Sequence, residues 1–535
     1  MKAGTLLAAL AAVAALAGPA TAQAARVSHA PAPPTVSLPG DATAASQGAD
    51  PRTWIVGTRR GGGALARAHG ARRIAGRAWL APRGRTRALA AALRSHGLLE
   101  YAEPNRFSRP VQAPAPDPLS PTAWGRNFVV ADQIPPAVTP ASPLIAVVDT
   151  QIDLGHPEIA GSGITSAGAD PPADLHGTAT TTVAAAPANQ VGFLGVWPGA
   201  RTLNVPVPTR QIPCSESARG IATAVRAGAA VINMSYAATA RCIAEERQIL
   251  RAVKAGAVPV AAAGNEFARG NPLEFPASLP HVITVSAVGP DERPSSFSDE
   301  NGAIDLSAPG VGILAAIPVQ FDTEDGSADG FAYMDGTSFA APMVSAAVAW
   351  VRAARPDLTP YQAAQVVRLG ARDVPPRGYD RATGFGVLHM PGALTREPPA
   401  EDPLEPNDDF RYVDGRAFGD RAAPIYSGRP TSVAATVDYA EDPVDVYRVR
   451  VPAGRRLRLS LAPSAGDPDL FVFRSRARSV RGSRSLRRSI ESGDATDRVS
   501  VRNRGRRTRT LYVAVGFHAD KRLKLLNASY VLRAR

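Results

Sequence analysis

The sequence of 535 residues predicts an α/β fold, a parallel sheet flanked by helices, preceded by a small α+β unit and followed by an all-β sandwich. Three observations carry this. In the middle of the chain, short apolar runs at 144–148, 231–234, 258–262 and 282–285 suit central parallel strands, which are buried on both faces. Between them, 218–229 and 244–255 carry apolar residues at helical spacing, and strand–helix alternation implies a sheet covered by helices on both faces. Beyond 394 the pattern changes to short alternating segments at 444–451, 456–461, 469–473 and 510–515 with no long helix, the mark of an antiparallel sandwich.

Taken in order, Met1-Lys2, an apolar run over 6–17 and Ala20-Thr21-Ala22 make a cleavable secretory signal, so residues 1–22 predict export to the extracellular space. The run is short for a bilayer span, and no later segment is apolar enough to be one. Residues 23–51, rich in Ala, Pro and Ser, form a spacer. A compact unit begins at 52, with a strand at 53–56, a helix over 87–99 and a closing segment at 100–105. A proline-dense linker over 110–121 separates it from the sheet. A long helix is expected from Ser338 to about 355, and an acidic, proline-rich linker at 397–406 leads to the sandwich. The boundaries are therefore 1–22, 23–116, 117–396 and 397–535. The arginine-dense stretch 474–488 reads as a solvated loop.

Charge is unevenly distributed. There are 14 basic and 4 acidic residues in 23–110, 17 and 25 in 117–395, and 28 and 18 in 396–535. A basic leader beside an acidic middle points to two parts that attract each other and argues against a nucleic-acid partner. The two cysteines, Cys214 and Cys242, predict one disulfide in an exported chain, the alternative being two buried free thiols.

Four polar residues stand at the ends of apolar elements. Asp149 closes Pro143-Leu144-Ile145-Ala146-Val147-Val148, at the carboxyl end of a strand, where parallel sheets meet ligands. His176 lies in Asp174-Leu175-His176-Gly177-Thr178-Ala179, where small neighbours leave the imidazole the access a base needs. Ser338, in Asp335-Gly336-Thr337-Ser338-Phe339-Ala340-Ala341-Pro342, opens a helix whose first amides lack partners, a useful place for an acyl-transfer nucleophile. Asn265 ends Val260-Ala261-Ala262-Ala263-Gly264 with a side-chain amide that can donate to an oxyanion. Taken singly, the four are a cap, a structural histidine, an N-cap and a turn residue.

Together they resemble the subtilisin family, in the order Asp, His, Asn, Ser, over about 117–395. The resemblance is carried by Val147-Val148-Asp149-Thr150, His176-Gly177-Thr178, Ala262-Ala263-Gly264-Asn265 and Gly336-Thr337-Ser338-Phe339-Ala340-Ala341-Pro342. It implies a serine endopeptidase with Asp149, His176 and Ser338 as a triad and Asn265 holding the oxyanion, without a cofactor for the chemistry. It also implies protein or peptide substrates lying along 233–236 and 261–264, with Ser235, Tyr236, Ala262 and Gly264 as substrate-binding residues. The small residues there suggest an open, apolar specificity pocket without fixed charge. Residues 52–109 look like the family's inhibitory pro-region, an intramolecular partner of an otherwise monomeric protein. Glu405-Pro406-Asn407-Asp408, Asp445-Val446-Tyr447 and Gly466-Asp467-Pro468-Asp469-Leu470 are similar to bacterial pre-peptidase C-terminal domains. Structural calcium is common in the family, and an acidic loop at 322–329 is one place for it. Gln151, Leu175 and Ala179-Thr180-Thr181-Thr182 depart from the pattern, two of them at positions where glycine is usual. The rival reading is a protease-like binding protein at the cell surface that keeps the fold without turnover.

Overall fold

The computed structural model describes residues 49–106, 117–168, 173–209, 211–323, 328–402, 404–438, 442–480, 482–517 and 527–535. The signal expected at 1–22, the spacer to residue 48 and most of the proline-dense linker lie outside them. The chain divides into two compact units, Met1–Ala113 and Pro114–Arg535.

In the first unit, β1 (Ala49–Thr58), α1 (Gly63–Ala68), β2 (Arg72–Ala75), β3 (Ala78–Pro82), α2 (Arg83–Ser95) and β4 (Leu99–Arg106) build an antiparallel sheet in the order β2-β3-β1-β4. The helix expected at 87–99 starts four residues earlier, directly after Pro82. Its first turn is rich in Arg and Gly and carries no apolar stripe, and Gly97 at φ 66° closes it. Leu89 and Leu93 then bury against Val56, Trp79 and Ala102.

The second unit opens with α3 (Trp124–Val130), β5 (Ile145–Asp149), β6 (Ile164–Ser166), α4 (Leu175–Ala185), β7 (Thr202–Pro206), α5 (Cys214–Arg226), β8 (Val231–Met234), α6 (Ile243–Lys254), β9 (Val258–Ala262), β10 (Ile283–Val288), β11 (Leu306–Pro309), β12 (Ile313–Ala316), β13 (Phe331–Met334), α7 (Thr337–Ala354), α8 (Pro360–Leu369) and α9 (Met390–Thr395). Seven of the strands form one parallel sheet, β11-β10-β9-β8-β5-β7-β6. Side chains alternate across it. Ile145 and Val147 of β5 join the core built around α4 and α7, while Ala146 and Val148 join the core under α5 and α6. The chain leaves β5 toward β7 on one side and β8 on the other, so the carboxyl end of β5 is a topological switch point, and Asp149 stands there. Cys214 and Cys242 form a disulfide joining the starts of α5 and α6.

The rest of this unit comprises α10 (Phe410–Val413), β14 (Thr431–Asp438), β15 (Val444–Val451), β16 (Arg456–Ala465), β17 (Pro468–Arg474), β18 (Arg487–Ser489), β19 (Asp497–Arg502), β20 (Arg509–Phe517) and β21 (Asn527–Ala534). They make two antiparallel sheets, β14-β21-β16-β19 and β15-β20-β17-β18, around one apolar core. Buried Arg368 of α8 bridges the two parts of the unit, bonding Asp305 at 3.1 Å and Asp438 at 2.8 Å. Among the described residues no helix is long and apolar enough to cross a membrane.

Candidate functional site

Asp149 is 2% exposed, and its carboxylate is held from three sides. Oδ1 accepts the Thr150 amide at 2.7 Å and faces His176 Nδ1 at 2.7 Å, while Oδ2 accepts the Thr180 hydroxyl at 3.0 Å. A proton on Nδ1 directed at the carboxylate leaves Nε2 as the basic nitrogen. A third of the His176 side chain is exposed. Burial opposes the imidazolium, but the Asp149 carboxylate, with Asp174 behind it, outweighs that and holds the His176 pKa above its ordinary value.

The start of α4 is built around this contact. Asp174 caps the helix by accepting the His176 amide at 3.1 Å and also accepts the Thr150 hydroxyl at 3.0 Å. The Gly177 amide donates to Thr150 Oγ1 at 2.7 Å. A Cβ on Gly177 would lie 2.0 Å from the Thr150 carbonyl oxygen, so only glycine lets helix and strand approach this closely.

Two residues of the unusual threonine run have a role here, whereas the Thr181 hydroxyl is buried without a hydrogen bond. Thr180, one helical turn after His176, presents its hydroxyl to Asp149, and Thr182 caps the Ala316 amide at 3.2 Å. Neither Gln151 nor Leu175 has a positive φ, so the backbone at those two positions does not require the glycine that is usual there.

Ser338 is the second residue of α7. In this structure its hydroxyl donates to the Ser235 carbonyl at 3.3 Å, and Ser235 Oγ donates back to the Ser338 carbonyl at 2.8 Å. The His176 ring lies 5.9 Å from the ring of Phe339, the next residue, which brings the imidazole beside the start of α7. Asn265 is exposed, and its Oδ1 accepts both the Thr337 amide at 3.0 Å and the Thr337 hydroxyl at 2.9 Å. That pair of bonds fixes the amide plane and leaves Nδ2 beside Gly336, 3.5 Å from where a Cβ there would stand.

The residues expected along the substrate differ in what they leave free. Ala262 is paired to β10 on one side of β9, and Ala261 to β8 on the other; past the strand end the Ala263 amide donates to the Val285 carbonyl at 2.9 Å, the Gly264 amide to Thr337 Oγ1 at 3.3 Å, and the Gly264 carbonyl accepts the Asp299 amide at 3.1 Å. Ser235 supports the start of α7, and the Tyr236 hydroxyl is bonded to Ser217 at 2.9 Å. Acidic side chains stand close to one of these segments. Glu274 and Asp299 crowd the carboxyl end of β9, with Glu274 Oε2 and Asp299 Oδ2 each 2.2 Å from the point where a Cβ on Gly264 would stand.

A second acidic group lies apart from these residues. Asp402, Glu405, Asp442 and Asp445 bring ligand atoms within 4.8 Å of one another. Asp402 Oδ1, Glu405 Oε1, both Asp442 oxygens and Asp445 Oδ1 are buried without a hydrogen bond. Burial, then the neighbouring Asp445 charge, pushes Asp402 up to about 8. An all-oxygen set of mutually repelling carboxylates fits a hard divalent cation. The acidic loop singled out in the sequence fits less well. Its residues 324–327 lie outside the described residues, and Asp322 and Asp329 accept the Gly330 and Phe331 amides.

A parallel sheet with Asp, His, Asn and Ser gathered at strand ends and helix starts defines a class, and comparison with known proteins agrees. Residues 141–386 match the subtilase family (Peptidase S8). The chain is 34% identical over 275 residues to a thermophilic serine proteinase of Bacillus sp. (strain AK1), covering 49% of this chain and 65% of that one. It is 34% identical over 224 residues to the subtilisin of Bacillus pumilus, covering 40% and 78%. It is 28% identical over 343 residues to fervidolysin of Fervidobacterium pennivorans, covering 57% and 48%. The chain thus spans from about half to about three quarters of the length of these relatives. It belongs to the subtilase family.

Proposed function

We propose that the chain is a secreted serine endopeptidase made as a self-processing precursor, with residues 1–22 as export signal, 23–116 as spacer and inhibitory pro-region, 117–396 as catalytic domain and 397–535 as linker and sandwich. The observation that carries this is the 2.7 Å contact between His176 Nδ1 and Asp149 Oδ1, with the imidazole set beside the first turn of α7. A backbone carbonyl in an extended substrate, lying along 233–236 and 261–264, is attacked by Ser338 Oγ as His176 Nε2 takes the hydroxyl proton. The tetrahedral oxyanion accepts hydrogen bonds from Asn265 Nδ2 and the Ser338 amide. His176 then gives its proton to the leaving amine, and water, activated by the same nitrogen, releases the acyl group and restores the serine.

Hydrolysis of an unfolded protein substrate tests the reading, with Asn265→Ala as its probe. Because Asn265 reaches the oxyanion through its side chain, its loss should lower kcat by ~10²–10³ with little change in KM, a magnitude measured on a subtilisin. An equal rise in KM at constant kcat would assign Asn265 to substrate binding instead.

Asp402, Glu405, Asp442 and Asp445 would hold a calcium-like cation, whose charge offsets the mutual repulsion of their carboxylates. Chelation should therefore lower the melting temperature by several degrees, corresponding to about 3 kcal/mol of lost binding linkage. The Asp442→Asn protein should respond much less. Equal responses in both would place the cation elsewhere.

A further inference from the structure

The carboxylates at the end of β9 are in an unusual state. Glu274 is 5% exposed and Asp299 is fully buried, yet Glu274 Oε2 and both Asp299 oxygens make no hydrogen bond. Among the described residues no ion pair reaches either of them. The nearby Glu266 is paired with Arg269 at 3.1 Å. Burial, followed by the charges of Asp299 and Glu266, pushes Glu274 up to about 7. Burial also raises Asp299 to about 6, although the Glu266 amide partly opposes it. Two desolvated acids facing one point are costly unless a cation joins them.

Their position relative to the proposed substrate path is well defined. The Asp299 amide donates to the Gly264 carbonyl at 3.1 Å, one residue before Asn265. Glu274 precedes Phe275, which forms a two-way bridge with Ala238, at 2.8 and 2.9 Å, just past Tyr236. The acids therefore meet beside Gly264, on loops bonded to both segments of the proposed substrate path, 261–264 and the chain just past 233–236. Gly264, at φ 115°, lets the backbone come right up to them; a methyl there would stand 2.2 Å from both oxygens. Two carboxylates are few for a divalent metal, which takes six or more oxygens. They match a guanidinium, whose planar fork can serve two carboxylate oxygens at once, and an ammonium less closely.

We propose that Glu274 and Asp299 form the acidic floor of the pocket that receives the side chain preceding the scissile bond, so that the protein cleaves after arginine and, less well, lysine. This rests on the endopeptidase reading. The chain itself carries a matching residue: Arg106 ends β4, the last strand of the first unit, whereas Arg109 is followed by proline. The same preference places the processing cut after Arg106.

The test compares peptides that differ only in the residue before the scissile bond, with the full chains of wild type and variants first cut in trans by tagged wild-type protein that is then removed. Wild type should favour Arg over Leu by at least ~10² in kcat/KM. Glu274→Gln and Asp299→Asn should each erase most of that ratio while cleavage after Leu is kept, which also shows that the variants fold. In parallel, binding of peptides ending in Arg or Leu is measured by calorimetry on the Ser338→Ala protein after it has been cut in trans by the wild type and freed of the released segment. Arg-selective binding that Glu274→Gln abolishes supports the pocket even if no peptide is turned over, in which case only the endopeptidase reading falls. Turnover or binding that prefers Leu, or an Arg preference unchanged in both variants, overturns the inference.

Discussion

Replacing Ser338 by alanine should leave the precursor at full length and reduce turnover of an unfolded protein substrate on the order of 10⁶-fold, a magnitude that rests on subtilisin itself. The expectation follows from the place of Ser338 in the first turn of α7, where its hydroxyl is bonded to the Ser235 carbonyl. Ser235 is itself engaged with the Ser338 carbonyl and is 2% exposed. Intact mass of the wild type and variant, expressed side by side without residues 1–22, is the measurement. Shortening of the wild type alone supports self-processing. Shortening of both would mean that another protease does the cutting, and persistence of both without hydrolysis would favour the protease-like binding protein.

Asp149→Asn should lower kcat by ~10⁴ near neutral pH, because an amide cannot keep the Nδ1 proton and the imidazolium in place. The pH profile carries the more specific expectation. His176 acts as a base only when neutral, and the carboxylate raises its pKa, so wild-type kcat/KM should fall as pH drops through a value above ~6.5. With Asn at 149 that acid limb should move down, although Asp174 still favours the charged ring. The effect on stability has the opposite sense. A pKa raised in the folded state stabilises the fold fully below the unfolded value, and this contribution is lost as pH rises through the folded one. Thr180→Val should act in the same direction but more mildly, on the order of tenfold, since it removes one of the bonds to Asp149 and leaves Oδ2 buried. An acid limb unmoved in Asp149→Asn would assign it to a group other than His176.

Much of the architecture was legible in local pattern. The strands β8 and β9 fall where their apolar runs begin and end, because a strand buried on both faces is apolar at nearly every position, buried Asn233 of β8 being the exception. Helix edges were less legible. The starts of α2 and α5 precede their apolar stripes: each follows a proline, Pro82 or Pro213, and the first turn of α5 is held by polar and covalent contacts of Ser217 and Cys214 that leave no apolar periodicity.

The sequence by itself determined which groups are the candidates for the chemistry. Asp149, His176, Asn265 and Ser338 stand in short motifs at element ends, and their order and types are readable without coordinates. Only the tertiary structure decided what surrounds them. The role of Thr180 toward Asp149 depends on α4 docking against the end of β5, although its place one turn after His176 was a signal in plain view. Glu274 and Asp299 are 25 residues apart, each in an unremarkable loop. Both press on Gly264 because β9, β10 and the bridge between Ala238 and Phe275 fold their loops into one place. The small residues of β9 therefore suggested an uncharged pocket, while the long-range contacts set two buried carboxyl groups beside Gly264. Burial and the crossing of distant segments are properties of the whole fold, and a pocket's electrostatics follows from them.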